Sequence, residues 1–131
     1  MPNAMNTDLE AMREQLVRAI KTLPVTRDWV FKPMFGGVSG YVEDRICASL
    51  SNIGLALKLD SDTQKKLLSL EGAKRLRYEP DAPESKQYIV VPESVCAAEK
   101  ELAAWVQQSV DYVLTLPAPR PKRVAQKAGE N

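Results

Sequence analysis

The 131-residue chain contains no histidine and only two cysteines. Without histidine, a Ser–His–Asp or Cys–His catalytic centre and a histidine-ligated zinc site are both excluded. The side chain that most often moves protons near neutral pH is missing as well. An enzyme of this composition would depend on carboxylates, lysine, tyrosine or a single cysteine. We therefore expect a protein that is not an enzyme and that holds no cofactor or metal.

Long apolar runs are also missing. Charged side chains interrupt the first 30 residues, so they do not resemble a secretion signal. These side chains are Asp8, Glu10, Arg13, Glu14 and Arg18. No run of apolar residues approaches the length of a membrane span. Together, these absences predict a cytoplasmic protein that makes no contact with a membrane.

The two cysteines, Cys47 and Cys96, lack the paired spacing of a redox or metal site, and we expect both to be reduced. Cys47 alternates with Ile46 and Ala48, so we expect it opposite the core face and not fully buried. Cys96 lies near the start of a predicted helix, which makes it the better candidate for a reactive thiol. A structural role is the simpler interpretation for both cysteines.

Charge is unevenly distributed along the chain. There are 18 basic and 17 acidic residues in all, but the last 15 residues hold four basic side chains and one acidic one. Three prolines in the same stretch oppose regular structure. We expect a disordered lead at residues 1–6, one folded domain at 7–116, and a disordered, proline-rich basic tail at 117–131.

Hydrophobic periodicity predicts three helices. Thr7 and Glu10 have the spacing of a capping box, and an amphipathic helix follows them. A short helix is predicted over residues 61–70, where Asp60 offers an N-cap. A long helix is expected after Pro92, ending near residue 115.

Alternating and continuous apolar patterns predict the sheet. Five extended segments are expected, at residues 38–43, 45–50, 54–59, 74–79 and 88–91. The first two are joined by a tight turn at Glu43-Asp44, and such short connections require antiparallel pairing. In the third segment the leucines alternate inward and Ala56 outward. The fold class is therefore α+β, with helices covering one face of an antiparallel sheet of about five strands.

Five short segments follow one another along this domain. They are Lys32-Pro33-Met34-Phe35-Gly36-Gly37 with Tyr41-Val42, Leu57-Lys58-Leu59-Asp60, Gly72-Ala73 with Tyr78, Tyr88 to Glu93, and Leu102 with Trp105. In this order and spacing they resemble the N-terminal domain of the TfoX/Sxy family. The resemblance extends over residues 10–114, which is nearly all of the predicted domain.

The resemblance implies a secretion-chaperone-like fold in the order α-β-β-β-α-β-β-α. It also implies kinship with regulators of natural competence and transcription, which act together with the cyclic-AMP receptor protein. It supplies no catalytic residues. Two features differ from the family pattern. Val38-Ser39-Gly40-Tyr41 stands where members commonly have Tyr-Gly-hydrophobic-Tyr. A proline-rich tail stands where full-length regulators have a second, helical domain, so we expect a stand-alone N-terminal domain.

The glycine-rich segment is the first candidate binding site. Its candidate residues are Lys32, Met34, Phe35, Gly36, Gly37 and Tyr41. The glycines could let the backbone approach an anion, and Lys32 is the one charge within the motif. The alternative is structural: the glycines allow a sharp bend, Met34 and Phe35 pack in the core, and the Lys32 stem covers apolar surface. A P-loop is excluded, since no Gly-Lys-Ser/Thr follows.

A run of basic residues is the second candidate site. It comprises Lys65, Lys66, Lys74, Arg75 and Arg77. Together with the basic tail they could contact nucleic-acid phosphates, with Tyr78 and Tyr88 stacking on bases. The alternative is a solvated face, which is what most charge runs form.

These observations favour a regulatory or interaction module that binds a protein partner through a sheet face or edge. The partner would be a transcription factor or a second copy of the chain. A nucleic-acid-binding accessory protein is the second hypothesis. Small-molecule binding or catalysis at the glycine-rich segment is the third.

Overall fold

A computed structural model describes residues 4–25, 27–34, 36–77, 79 and 81–117. Four helices lie in these residues: α1 (Ala4–Lys21), α2 (Ser61–Leu68), α3 (Glu93–Cys96) and α4 (Glu99–Val113). Six strands accompany them: β1 (Trp29–Met34), β2 (Gly37–Val42), β3 (Arg45–Ser51), β4 (Gly54–Lys58), β5 (Lys74–Arg75) and β6 (Tyr88–Val90).

The strands form one antiparallel sheet in the order β1-β2-β3-β4-β6-β5, which confirms the α+β fold class. The sheet has six strands because residues 29–34 form a complete strand. Trp29 to Met34 pair residue by residue with β2 across a two-residue loop. The predicted strand at 74–79 is shorter than expected, since regular pairing ends at Arg75.

Two helices differ from their predicted bounds. Helix α1 begins at Ala4, within the segment predicted to be a disordered lead, where Ala4 and Met5 are good helix formers. The predicted final helix is divided into α3 and α4, because Ala98 takes an extended conformation and serves as the N-cap of α4. Among the described residues, no helix is long and apolar enough to cross a membrane.

The main core lies on one face of the sheet, which we call the inner face, beneath α1, α3 and α4. Leu50, Leu55, Leu57 and Ile89 from the strands are fully or almost fully buried there. Hydrophobic burial on this scale is the main stabilising contribution to such a domain. The inner face is therefore the buried, helix-covered side of the sheet that the sequence predicted.

The outer face of the sheet is also partly covered, which corrects the expectation that Ala56 points into solvent. Ala56 is 0% exposed and packs with Leu76 and Val90 in a second, smaller apolar cluster. Ile53 and Tyr88 border this cluster. The cover comes from Leu76, just after β5, whose carbonyl oxygen accepts a hydrogen bond from the Ser85 N–H at 2.8 Å.

A β-bulge in β3 changes which side chains face the core. Gly40 pairs with Ala48 but Tyr41 pairs with Ile46, so Cys47 is the additional residue. The bulge turns Cys47 towards the main core, where it is 0% exposed, and leaves Ile46 only half-buried. The expectation that Cys47 lies opposite the core was therefore wrong, because strict alternation does not hold across a bulge.

The tight turn at Glu43-Asp44 is confirmed. Both residues have positive φ angles, 49° and 68°, as a type I′ hairpin turn requires. The Arg27 guanidinium lies 2.7 Å from the Glu43 carboxylate and holds the turn against the segment before β1. The Asp60 N-cap is confirmed too: its carboxylate accepts a hydrogen bond from the Thr63 N–H at 2.8 Å, which lowers the pKa of Asp60.

Candidate functional site

The glycine-rich segment forms the hairpin between β1 and β2. Met34 pairs with Gly37, and Gly36 occupies the two-residue loop with a φ angle of +66°, in the left-handed region. Phe35 and the side chain of Met34 lie outside the described residues, so their predicted core packing stays a prediction. The hairpin brings Lys32 and Tyr41 onto the same face of neighbouring strands.

The two glycines of this hairpin meet different structural demands. Gly36 needs its left-handed backbone, although a side chain there would meet open space. Gly37 has an ordinary φ angle, but a Cβ atom there would overlap the backbone carbonyl oxygen of Leu50 on β3. The geometry thus gives both glycines a backbone role, as the structural alternative predicted.

Lys32 contacts an aromatic ring. Its Nζ atom lies 5.0 Å from the centroid of the Tyr41 ring, within the range of a cation–π interaction. Lys32 as a whole is exposed. On the inner face of the same hairpin, Trp29 and Phe31 stack with their ring centroids 6.1 Å apart.

The basic residues of the second candidate site have separate neighbours. Lys65 and Lys66 are exposed on α2. Arg75 donates a hydrogen bond to the Gln64 side chain at 2.7 Å, and Arg77 lies 3.2 Å from the Glu84 carboxylate. Lys74 instead lines a groove between α1, β4 and α3. Tyr78 and the basic tail from residue 118 onward lie outside the described residues.

Both cysteines are buried thiols. Cys47 Sγ lies 2.9 Å from Ser109 Oγ on α4, and burial raises the pKa of Cys47 to about 12. Ser109 also donates to the Lys58 carbonyl oxygen at 2.7 Å, which joins β3, β4 and α4. Burial and the neighbouring Glu93 carboxylate raise the pKa of Cys96 to about 11. Cys96 lies at the end of α3, not near the start of a long helix, so the reason for expecting a reactive thiol does not hold.

The raised pKa values of the two thiols predict that the domain becomes less stable at alkaline pH. An unfolded thiol ionises near pH 9, whereas the folded chain retains both protons until about pH 11 to 12. The folded state then binds more protons, so the free energy of unfolding falls as the pH rises above 9. Urea denaturation at pH 8 and pH 10 measures this change. The Cys47→Ala variant should lose about half of this pH dependence, because both folded thiols remain protonated at pH 10 and contribute almost equally. A pH dependence that Cys47→Ala leaves unchanged would show that the Cys47 thiol does not cause it.

Sequence reasoning missed the buried amide of Gln64. This side chain is 6% exposed, donates to the Leu59 carbonyl oxygen at 2.7 Å and accepts from Arg75. The only local indication of a buried role was that Gln64 lies one helical turn after the N-cap Asp60. Nothing in the sequence indicates that α2 and β5 bring Gln64 and Arg75 together, since this contact depends on the tertiary fold.

The structure places the chain in the class of small α+β domains that have an antiparallel sheet with helices over one face; here the sheet has six strands. A comparison with protein-family models matches residues 26–113, more than half of the chain, to the TfoX N-terminal domain. The chain belongs to this family, as its sequence segments predicted. Comparisons with curated proteins and with solved structures find no match.

Proposed function

We propose that this chain is a non-enzymatic interaction module that pairs through the exposed edge of β1 with a second copy of itself. The proposal rests on the position of β1 in the sheet. It is one of the two end strands of the sheet and is six residues long, whereas β5 at the other end has only two. An end strand of this length offers main-chain donors and acceptors to another strand.

The exposure of β1 supports this role. The Val30 side chain is 49% exposed, and it is one of three large apolar residues that stand out at the surface of the described residues. Pro33 has no N–H group to offer a further strand, so the open part of the edge ends at Lys32.

The sequence of the edge favours a second copy as the partner. Two identical antiparallel strands related by a twofold axis through Val30 would place Val30 opposite Val30 of the other copy. The same register places Trp29 opposite Phe31 of the other copy, and Asp28 opposite its Lys32. Aromatic pairs and opposite charges at facing positions both stabilise antiparallel strands. Asp28 and Lys32 are both exposed.

Three further observations support a role outside catalysis. The chain has no histidine. Both thiols are buried and have raised pKa values. Lys32, the charged residue of the glycine-rich segment, lies over the Tyr41 ring. A regulatory role alongside a transcription factor, such as the cyclic-AMP receptor protein, is the function that family membership favours for the paired module.

The replacement Val30→Lys tests whether the edge of β1 forms the dimer interface. It adds a charge at the centre of the pairing and should convert a dimer into a monomer, because like charges would then face each other across the axis. Val25→Lys is the matched control, since Val25 is 54% exposed but lies before β1. Multi-angle light scattering over a range of concentrations measures the mass of both variants and of the unchanged chain.

We expect a dimer for the unchanged chain and for Val25→Lys, and a monomer for Val30→Lys. A dimer that survives Val30→Lys would overturn the assignment to β1. A monomer for the unchanged chain at high concentration would overturn self-association, and the transcription factor would then be the partner to test.

A further inference from the structure

A cleft opens at the other end of the sheet, between the start of α2 and residues 84–86. Its volume is about 520 Å³. The lining side chains are Ser61, Gln64, Arg75, Glu84, Ser85 and Lys86. This size falls in the range of small-molecule sites in proteins. The cleft is separated from β1 by the full width of the sheet.

Arg75 is held in place at this cleft by a buried amide. Gln64 Nε2 donates to the Leu59 carbonyl oxygen, and Gln64 Oε1 accepts from Arg75 Nη1, both at 2.7 Å. Both ends of the amide are thus satisfied, which fixes its orientation. This contact uses one of the five N–H donors of the guanidinium. A braced guanidinium loses less conformational freedom when it binds an anion than a free one would.

Hydroxyl groups and a second cation lie beside Arg75. Lys86 is exposed and lines the same cleft. Ser85 Oγ accepts hydrogen bonds from the N–H groups of Gln87 and Tyr88, so its own proton is left to be donated. Ser61 adds a second hydroxyl. The start of α2 itself is not the anion contact, because the Asp60 carboxylate already accepts from the Thr63 N–H.

The charges around the cleft favour an anion. Glu84 is the one acidic side chain in its lining, and Arg77 lies 3.2 Å from that carboxylate and offsets its charge. Within the lining, Arg75 and Lys86 therefore exceed Glu84 by one positive charge. Charge-assisted hydrogen bonds from such groups are the strongest polar contacts that a partly exposed site offers.

We propose that this cleft binds the phosphate group of a small phosphorylated molecule. A planar carboxylate would need only the fork of one guanidinium. The cleft instead presents a guanidinium, an ammonium and two hydroxyls from different elements, and a tetrahedral phosphate dianion can accept from all of them. The inference does not depend on the β1 edge, so a failed dimerisation test leaves it standing.

The test is a titration of the intact chain, followed by amide chemical shifts. Inorganic phosphate, a sugar phosphate and a nucleoside monophosphate serve as three separate probes, which distinguishes free phosphate from the two kinds of ester. We expect saturable shifts that cluster at Ser61, Arg75 and residues 84–86. The probe that binds most tightly identifies the source of the phosphate.

Two charge variants make the test specific. Arg75→Gln should weaken phosphate binding about tenfold, because it removes a charge-assisted contact. Lys66→Gln removes the same charge from the exposed surface of α2 outside the cleft lining and should change the affinity less than twofold. Gln64→Met should weaken binding as well, since it keeps the volume but removes the brace on Arg75.

Three outcomes would overturn the proposal. The first is the absence of saturable binding with all three probes. The second is a set of shifts spread over every basic residue and reduced equally by Lys66→Gln, which would mean nonspecific counter-ion contact. The third is binding that Arg75→Gln leaves unchanged while the variant unfolds at the same urea concentration as the unchanged chain.

Discussion

Gly37→Ala is expected to destabilise the domain by about 3 kcal/mol, the upper end of the usual cost of overpacking. The added methyl group would overlap the Leu50 carbonyl oxygen, which belongs to the backbone of β3 and cannot rotate away. β2 would have to move away from β3, and the pairing of Gly37 with Ser51 would be lost. Urea denaturation measures the loss.

Gly36→Ala is the matched control in the same motif. The new methyl group would meet open space there, so only the left-handed backbone opposes it. That conformation costs an alanine about 1 to 2 kcal/mol, part of which is regained because alanine restricts the unfolded chain. We therefore expect Gly37→Ala to be clearly the more damaging replacement. Equal effects at the two positions would show that the contact with β3 does not limit Gly37.

Ala56→Lys is expected to cost about 3 kcal/mol or more, because it places an ammonium group in an apolar cluster without a partner. Ala56 packs between Leu76 and Val90 on the outer face, under the chain that follows β5. The lysine could reach water only by displacing that loop. Urea denaturation measures this cost too, and near-ultraviolet spectra of the neighbouring Tyr88 report the displacement.

Ala104→Lys controls for the added charge and for the change of residue type. Ala104 is exposed on α4, so its replacement should change the free energy of unfolding by no more than about 0.5 kcal/mol. If Ala56→Lys were as mild as Ala104→Lys, the outer face would be open to solvent at β4, contrary to the structure.

Local patterns were sufficient for most of the fold. The Asp60 cap depends on residues within one helical turn, and the Glu43-Asp44 turn depends on two adjacent strands. Such features are encoded by neighbouring residues, so the sequence predicts them without knowledge of the tertiary structure. The family resemblance is confirmed by the matched residues 26–113. The implied order α-β-β-β-α-β-β-α omitted one strand before α2 and the division of the last helix.

Features that depend on distant residues could not be predicted in this way. The bulge at Cys47 requires the register between β2 and β3, and alternation alone places this thiol on the wrong face. The burial of Ala56 depends on a loop that begins some 20 residues later in the chain. Both errors assumed a regular strand with one solvent-facing side, which holds only where nothing covers that side.

The candidate site was predicted only in outline. The sequence correctly offered a backbone role for Gly36 and Gly37, but it could not show which glycine faces β3. It grouped Arg75 with other basic residues by their spacing, whereas the fold gives Arg75 a buried amide as its partner. Nucleic-acid binding by that basic group and by the tail stays a prediction, as does a ligand role for Lys32.

The most direct test of the β1 pairing is a charge exchange between Asp28 and Lys32, followed by measurement of the dimer dissociation constant. Asp28→Lys alone should weaken the dimer about tenfold, since two symmetry-related pairs of like charge would then face each other. Combining Asp28→Lys with Lys32→Asp restores opposite charges and should recover most of the affinity. If the double variant instead dissociated as readily as the single one, the proposed register of the two β1 strands would be wrong.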